Sequence, residues 1–187
     1  MKLHSKGLSV LLWSAFLLSM VLLTGCQSNE TKAVPPTPPA EEKPASNYIQ
    51  KVAVDPRGNE KWTELAGYAA DLDADSQEEQ IGLFTSAQRD AKGRIMWDDG
   101  QKWLLLVEDG ADFYPLFQGY VQLGSVYYTV AGYDNIPTPK VTALVSAGAG
   151  MIFTNYAYDP DKKGYRIEPI YDSQGINLLF SSLPSYE

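Results

Sequence analysis

The sequence predicts a mainly β protein: a single antiparallel meander, sandwich- or barrel/propeller-like, with at most one or two short helices. Three observations carry this. Residues 48–187 are aromatic and rich in Val, Tyr and Thr, the residues that suit a pleated surface. Their apolar runs are mostly too short for helices, and turn-forming residues recur at intervals of about ten.

Residues 48–54 alternate weakly, as an edge strand or a docking segment does. Residues 60–70 start either as a helical turn or directly as a strand, and periodicity alone does not separate the two. Residues 80–86 read as a strand, followed by a polar loop over 88–94 in which Lys92-Gly93 suits a turn. A second turn signal stands at Asp98-Asp99-Gly100. Over 102–107, Trp103, Leu105 and Val107 fall on one face and Leu104 and Leu106 on the other. A strand apolar on both faces belongs in the middle of a sheet that is covered twice. Glu108-Asp109-Gly110 ends it, and strands follow over 113–121, 125–132, 141–147, 151–158 and 165–171. Gly148-Ala149-Gly150 and 159–164 have hairpin and turn chemistry. The stretch 172–175 stops the last strand, and 176–183 is apolar enough for a short capping helix or a final strand.

The first 47 residues differ in kind. Lys2 and Lys6 precede an apolar run over 8–23, which ends in small residues before Cys26. That order is a charged n-region, an apolar h-region and a cleavage site. Leu23-Thr24-Gly25-Cys26 resembles the lipobox of bacterial lipoproteins. The resemblance implies cleavage between Gly25 and Cys26, a diacylglyceryl group on the sulfur and acylation of the new amine. It also implies attachment to the outer face of the cell membrane, or to the periplasmic side of the outer membrane in a Gram-negative host. Cys26 is the only cysteine of the chain, so it has no disulfide partner. Residues 26–47 carry five prolines between 35 and 44 and almost no bulky apolar side chain, which fits an extended, disordered tether. The expected division is a signal peptide over 1–25, a lipidated cysteine and tether over 26–47, and a β-rich extracytoplasmic domain over 48–187.

Composition then narrows the function. Loss of Lys2 and Lys6 with the signal leaves 13 basic against 23 acidic residues, a net charge of −10. A polyanion does not track nucleic acid phosphates, so no nucleic acid partner is expected, and membrane attachment must come from acyl chains. The single histidine, His4, lies in the signal. A mature chain with neither imidazole nor free thiol excludes Ser-His-Asp and Cys-His catalysis and any zinc site built on His or Cys.

One constellation carries metal chemistry. In Asp71-Leu72-Asp73-Ala74-Asp75-Ser76-Gln77-Glu78-Glu79, carboxylates at positions 1, 3, 5 and 9 can turn oxygens toward one hard cation, and a backbone carbonyl at position 7 is the usual extra donor. The run resembles the Asp-x-Asp-x-Asp-Gly calcium loops of FG-GAP and VCBS-type repeats. The resemblance makes Asp71, Asp73, Asp75 and Glu79 side-chain ligands, with Gln77 as the carbonyl donor, for a low-affinity structural calcium ion. Ser76 stands where the motif has its turn glycine, and Gly82 stands where an EF-hand has its bidentate acid. Strand-like flanks favour a strand-loop-strand clip; the alternative is a solvated acidic turn.

Nine tyrosines lie between 114 and 171 and, with Trp97, offer a carbohydrate- or cell-wall-binding face, against the simple preference of sheets for tyrosine. Glu64, Glu108, Asp109, Asp112 and Glu168 are the carboxylates on which a histidine-free hydrolase would draw, but no spacing selects an acid and a base, and no catalytic residue is assigned. The expectation is a lipid-anchored accessory or binding domain with a protein or cell-envelope glycan partner.

Overall fold

The computed structural model describes residues 46–148, 150–175, 182–184 and 186. The expected signal peptide, Cys26, the expected tether up to residue 45, Ala149 and residues 176–181, 185 and 187 lie outside the described residues. Among the described residues nine strands follow in order: β1 (Tyr48–Gln50), β2 (Thr63–Ala70), β3 (Glu79–Thr85), β4 (Gly100–Asp109), β5 (Asp112–Gln122), β6 (Ser125–Tyr133), β7 (Ile136–Ala147), β8 (Gly150–Asp159) and β9 (Gly164–Gln174). All their pairings are antiparallel, and they form two sheets: β2-β3-β4-β5 and β1-β9-β8-β7-β6. Neither sheet closes into a barrel. The sandwich form of the expected meander is the one realised: successive strands pair locally, the chain changes sheets after β5, and β1 crosses to the far edge beside β9. The described residues contain no helix.

A shared core joins the sheets. Ile81, Leu83, Trp103, Leu105, Val107 and Tyr114 from the four-stranded sheet pack with Val126, Val141, Ala143, Tyr156 and Tyr165 from the five-stranded one. The outer face of β4 is also covered, as its apolar sequence requires. Leu104 and Leu106 are fully buried, with Phe84, Trp62 and Phe113 over them. The segment before β2 supplies this cover: Trp62 Nε1 donates to Arg57 O (3.0 Å), and the Arg57 guanidinium sits 5.3 Å from the Phe84 ring.

Bulges explain where simple alternation fails. Leu105 pairs with Phe117 and Leu106 with Pro115, so one extra residue, Leu116, enters β5 and the inward set shifts from Tyr114 and Leu116 to Phe117 and Val121. Pro169 occupies a similar irregularity between β8 and β9. Pro137 and Pro139 extend β7 well ahead of the expected start at 141. They are tolerated because this end of β7 pairs with β6 alone, and β8 joins only at Val141. Residues 63–70 are a strand from the outset, and 48–54 serve both expected roles: β1 edges the larger sheet, while Val52 exchanges backbone hydrogen bonds with Phe113 of the other sheet (2.8 and 3.1 Å).

Candidate metal centre

The acidic run is the connection of the β2–β3 hairpin. Ala70 and Glu79 form the last pair of the ladder, and 71–78 make the loop between them. Leu72, fully buried in the shared core, pins the loop to the sandwich. The aspartates around it fold the backbone into successive turns. Asp71 accepts from Ala74 N (2.7 Å) and Ser76 N (3.0 Å), Asp73 from Asp75 N (3.0 Å), and Asp75 from Gln77 N (2.8 Å). Glu79 closes the loop by accepting from Leu72 N. Ala74 and Ser76 adopt the left-handed conformation, with φ of 66° and 73°. Position 6 thus keeps the backbone geometry that glycine serves in the motif, although a serine fills it.

The loop brings together Asp71, Asp73, Asp75 and Glu79, with one carboxylate oxygen of each lying within 4.8 Å of the others. Two oxygens on opposite sides of a calcium ion, each at about 2.4 Å, stand at about that separation. The all-oxygen, anionic donor set suits a hard cation. Gln77 directs its side chain back to the loop: its amide donates to Asp75 Oδ2 (3.1 Å). Gly82 lies within strand β3 with the Phe84 ring packed where a Cβ would stand, so a twelfth-position carboxylate has no place here.

The site is electrostatically costly as protein alone. Among the described residues, no lysine or arginine pairs with any of the four acids. Glu79 is only 2% exposed, and burial, followed by the charges of Asp73, Asp109 and Asp71, pushes its carboxyl up to about 7. Asp73 is also raised, first by burial and then by its acidic neighbours. Asp109 was not in the expected ligand set. The β3–β4 register, with Glu108 opposite Gln80, carries it toward Glu79, a proximity that only strand pairing creates.

The remaining candidates disperse. Tyr114, Tyr156 and Tyr165 are buried, while the exposed Tyr120 lies on β5 of the smaller sheet and Tyr133 and Tyr171 lie on β6 and β9 of the larger one. A cavity of about 440 Å³ does place Tyr120 with Trp62, Asn59 and Gln118. Of the carboxylates a hydrolase would use, Glu108 is held by Arg57 (2.8 Å), Asp112 by Lys51 (2.6 Å) and Glu168 by both Lys140 (2.8 Å) and Arg166. Lys140 holds the Glu168 carboxyl below its ordinary range. No family model, curated protein or solved structure matches the chain.

Proposed function

We propose that this chain is a lipid-anchored, extracytoplasmic binding domain whose β2–β3 hairpin is pinned by a structural calcium ion. The observation that carries the metal half is the convergence of four carboxylates within 4.8 Å, with Glu79 buried among them and no basic partner among the described residues. Four like charges at that spacing repel strongly once shielded from water, and one divalent cation turns this repulsion into attraction. The role is structural because the ligands come from one hairpin and its loop. The anchor half is supported by the export signal and by Leu23-Thr24-Gly25-Cys26.

Linkage tests the first half. With calcium at about 100 times its dissociation constant, stability rises by about 2.7 kcal/mol. This corresponds to a melting-temperature increase on the order of 5–10 °C for a domain of this size. Asp73→Ala removes the increase, and an unchanged melting temperature in millimolar calcium would sink the metal assignment. For the second half, labelling with a fatty-acid analogue is expected to mark the native chain but not Cys26→Ser. Equal label on both, or on neither, rejects the anchor.

A further inference from the structure

At the end of the sandwich away from the acidic loop, where β4 and β6 begin, four aromatic rings meet. Trp97, from the connection between β3 and β4, stacks on Trp103 of β4, with centroids 5.8 Å apart and planes 15° apart. Tyr127 of β6 stacks in the same way on Tyr186, at 5.2 Å and 19°. Tyr186 also lies 6.0 Å from Trp103 and 6.5 Å from Trp97. Its ring thus occupies a slot walled by Trp97, Trp103 and Tyr127.

The hydrogen bonds in the slot follow one pattern. Tyr127 Oη donates to Pro184 O (2.6 Å), and Trp97 Nε1 donates to Tyr186 O (3.2 Å). Tyr186 Oη in turn donates to Val126 O on edge strand β6 (2.8 Å). Side-chain donors that grip alternate carbonyls of a proline-containing segment between aromatic walls are the means by which grooves hold extended peptides. Two further donors face inward from β4 without an acceptor among the described residues. Trp103 Nε1 and Gln101 Nε2 are buried and unbonded there, and their residues are 0% and 8% exposed. They stand two positions apart on one strand and therefore share its inner face. Each such orphan leaves a buried donor desolvated and uncompensated, which favours any acceptor that reaches it. The slot and the adjoining inner face of β4 thus carry four uncharged donors, of which Pro184 and Tyr186 satisfy two.

We propose that this slot is a binding site for an extended peptide segment of a partner protein carrying proline followed two residues later by an aromatic ring, and that Tyr186 is its resident competitor. The donors are neutral, so the complement is a row of backbone carbonyls rather than a phosphate or carboxylate. The slot is aromatic, so the anchor is a ring. The occupant observed, with Pro184 and Tyr186, defines the spacing. A partner segment gains over the resident one by also offering acceptors to Gln101 and Trp103. This deepens the reading of the domain as a binding module and is independent of calcium: retention of the calcium-dependent melting shift alongside failure to bind peptide removes the slot alone.

The test is titration of the full chain in detergent micelles with an N-acetylated, C-amidated peptide copying residues 181–186, read by tryptophan fluorescence. Tyr186→Ala is expected to bind the peptide saturably. The native chain should need about ten-fold more peptide to reach the same end-point, because a tethered competitor acts at an effective millimolar concentration. Adding Trp97→Phe to Tyr186→Ala weakens binding about five-fold or more, and replacing the peptide's tyrosine by alanine abolishes it. Absence of a saturable change up to about 5 mM in either chain overturns the proposal. So does equal affinity of native and Tyr186→Ala chains, or equal binding of a peptide copying residues 34–40, which has prolines but no ring. If Tyr186→Ala does not fold, the native chain decides alone: the expected end-point at high peptide supports the slot, and its absence removes it.

Discussion

At residue scale, the acidic loop shows how one buried carboxylate changes the behaviour of a whole hairpin. Glu79 is held near neutrality by burial and by Asp73, Asp109 and Asp71. Its folded-state value lies above the ordinary 4.5, so the unfolded chain releases this proton more readily than the folded one. The sign follows: without metal, the stability associated with Glu79 is fully present below about 4.5 and is lost as pH rises to about 7. Glu79→Gln is expected to flatten that part of the pH–stability curve, measured by urea unfolding in chelator. The proposed calcium ion is expected to act in the opposite direction, because a cation binds the deprotonated carboxylate and its stabilisation then grows as pH rises through the same window. A curve that keeps its slope in Glu79→Gln would assign the titration elsewhere. The alternating aspartates made the four-carboxylate cluster legible in the sequence. Asp109 was not legible, because it approaches through strand register and not through spacing along the chain.

Among the elements, β4 governs the packing. Its five-residue apolar run from Trp103 to Val107 is fully buried on both faces, against the shared core on one side and under Trp62, Phe84 and Phe113 on the other. Leu104→Ala and Leu105→Ala are therefore expected to cost similar amounts, each about 2–5 kcal/mol, in denaturant unfolding. A strand with one solvated face would make one of the two cheap, so a difference of several kcal/mol between them would contradict the double cover. This element was legible in the sequence because an unbroken apolar run between two turn signals, too short for a helix, must bury both of its faces. The 113–121 strand was legible only in part. Its alternation changes phase at the bulge beside Leu105 and Leu106, so the residues facing inward, Tyr114 and Leu116 and then Phe117 and Val121, follow no single period. The start of β7 was missed for a related reason: prolines argue against a strand unless one side lacks a partner, and only the neighbouring strands reveal that.

For the molecule as a whole, the decisive point is the passage from one sheet to the other between β5 and β6. Leu123 adopts a left-handed conformation with φ of 49°, and Gly124 follows it against β7. A Cβ built at Gly124 would lie 1.8 Å from Ser146 O and 2.7 Å from Ala147 Cα, both backbone atoms that cannot turn aside. Leu123 N donates to Asp99 O (2.6 Å) and Gly148 N to Gln122 O (3.4 Å), which ties the crossing to both sheets. Gly124→Ala is expected to cost about 2–3 kcal/mol, seen as a lowered unfolding midpoint, because the sheets must separate locally to admit one methyl group. Wild-type stability in that variant would mean that the crossing tolerates displacement and does not fix the sheets.

The amino-acid sequence by itself determined the β class, the turns, the twice-covered central strand and the four-carboxylate loop. Each of these depends on residues close along the chain, where side-chain period and turn chemistry operate. Only the tertiary structure decided that the meander divides into two sheets, that β1 crosses to β9, that Asp109 joins the acidic loop, and that Trp97, Trp103, Tyr127 and Tyr186 enclose a slot. These are pairings between residues far apart in sequence, selected by burial of both sheet faces together. Such a choice is a property of the packed whole and leaves no local period to read.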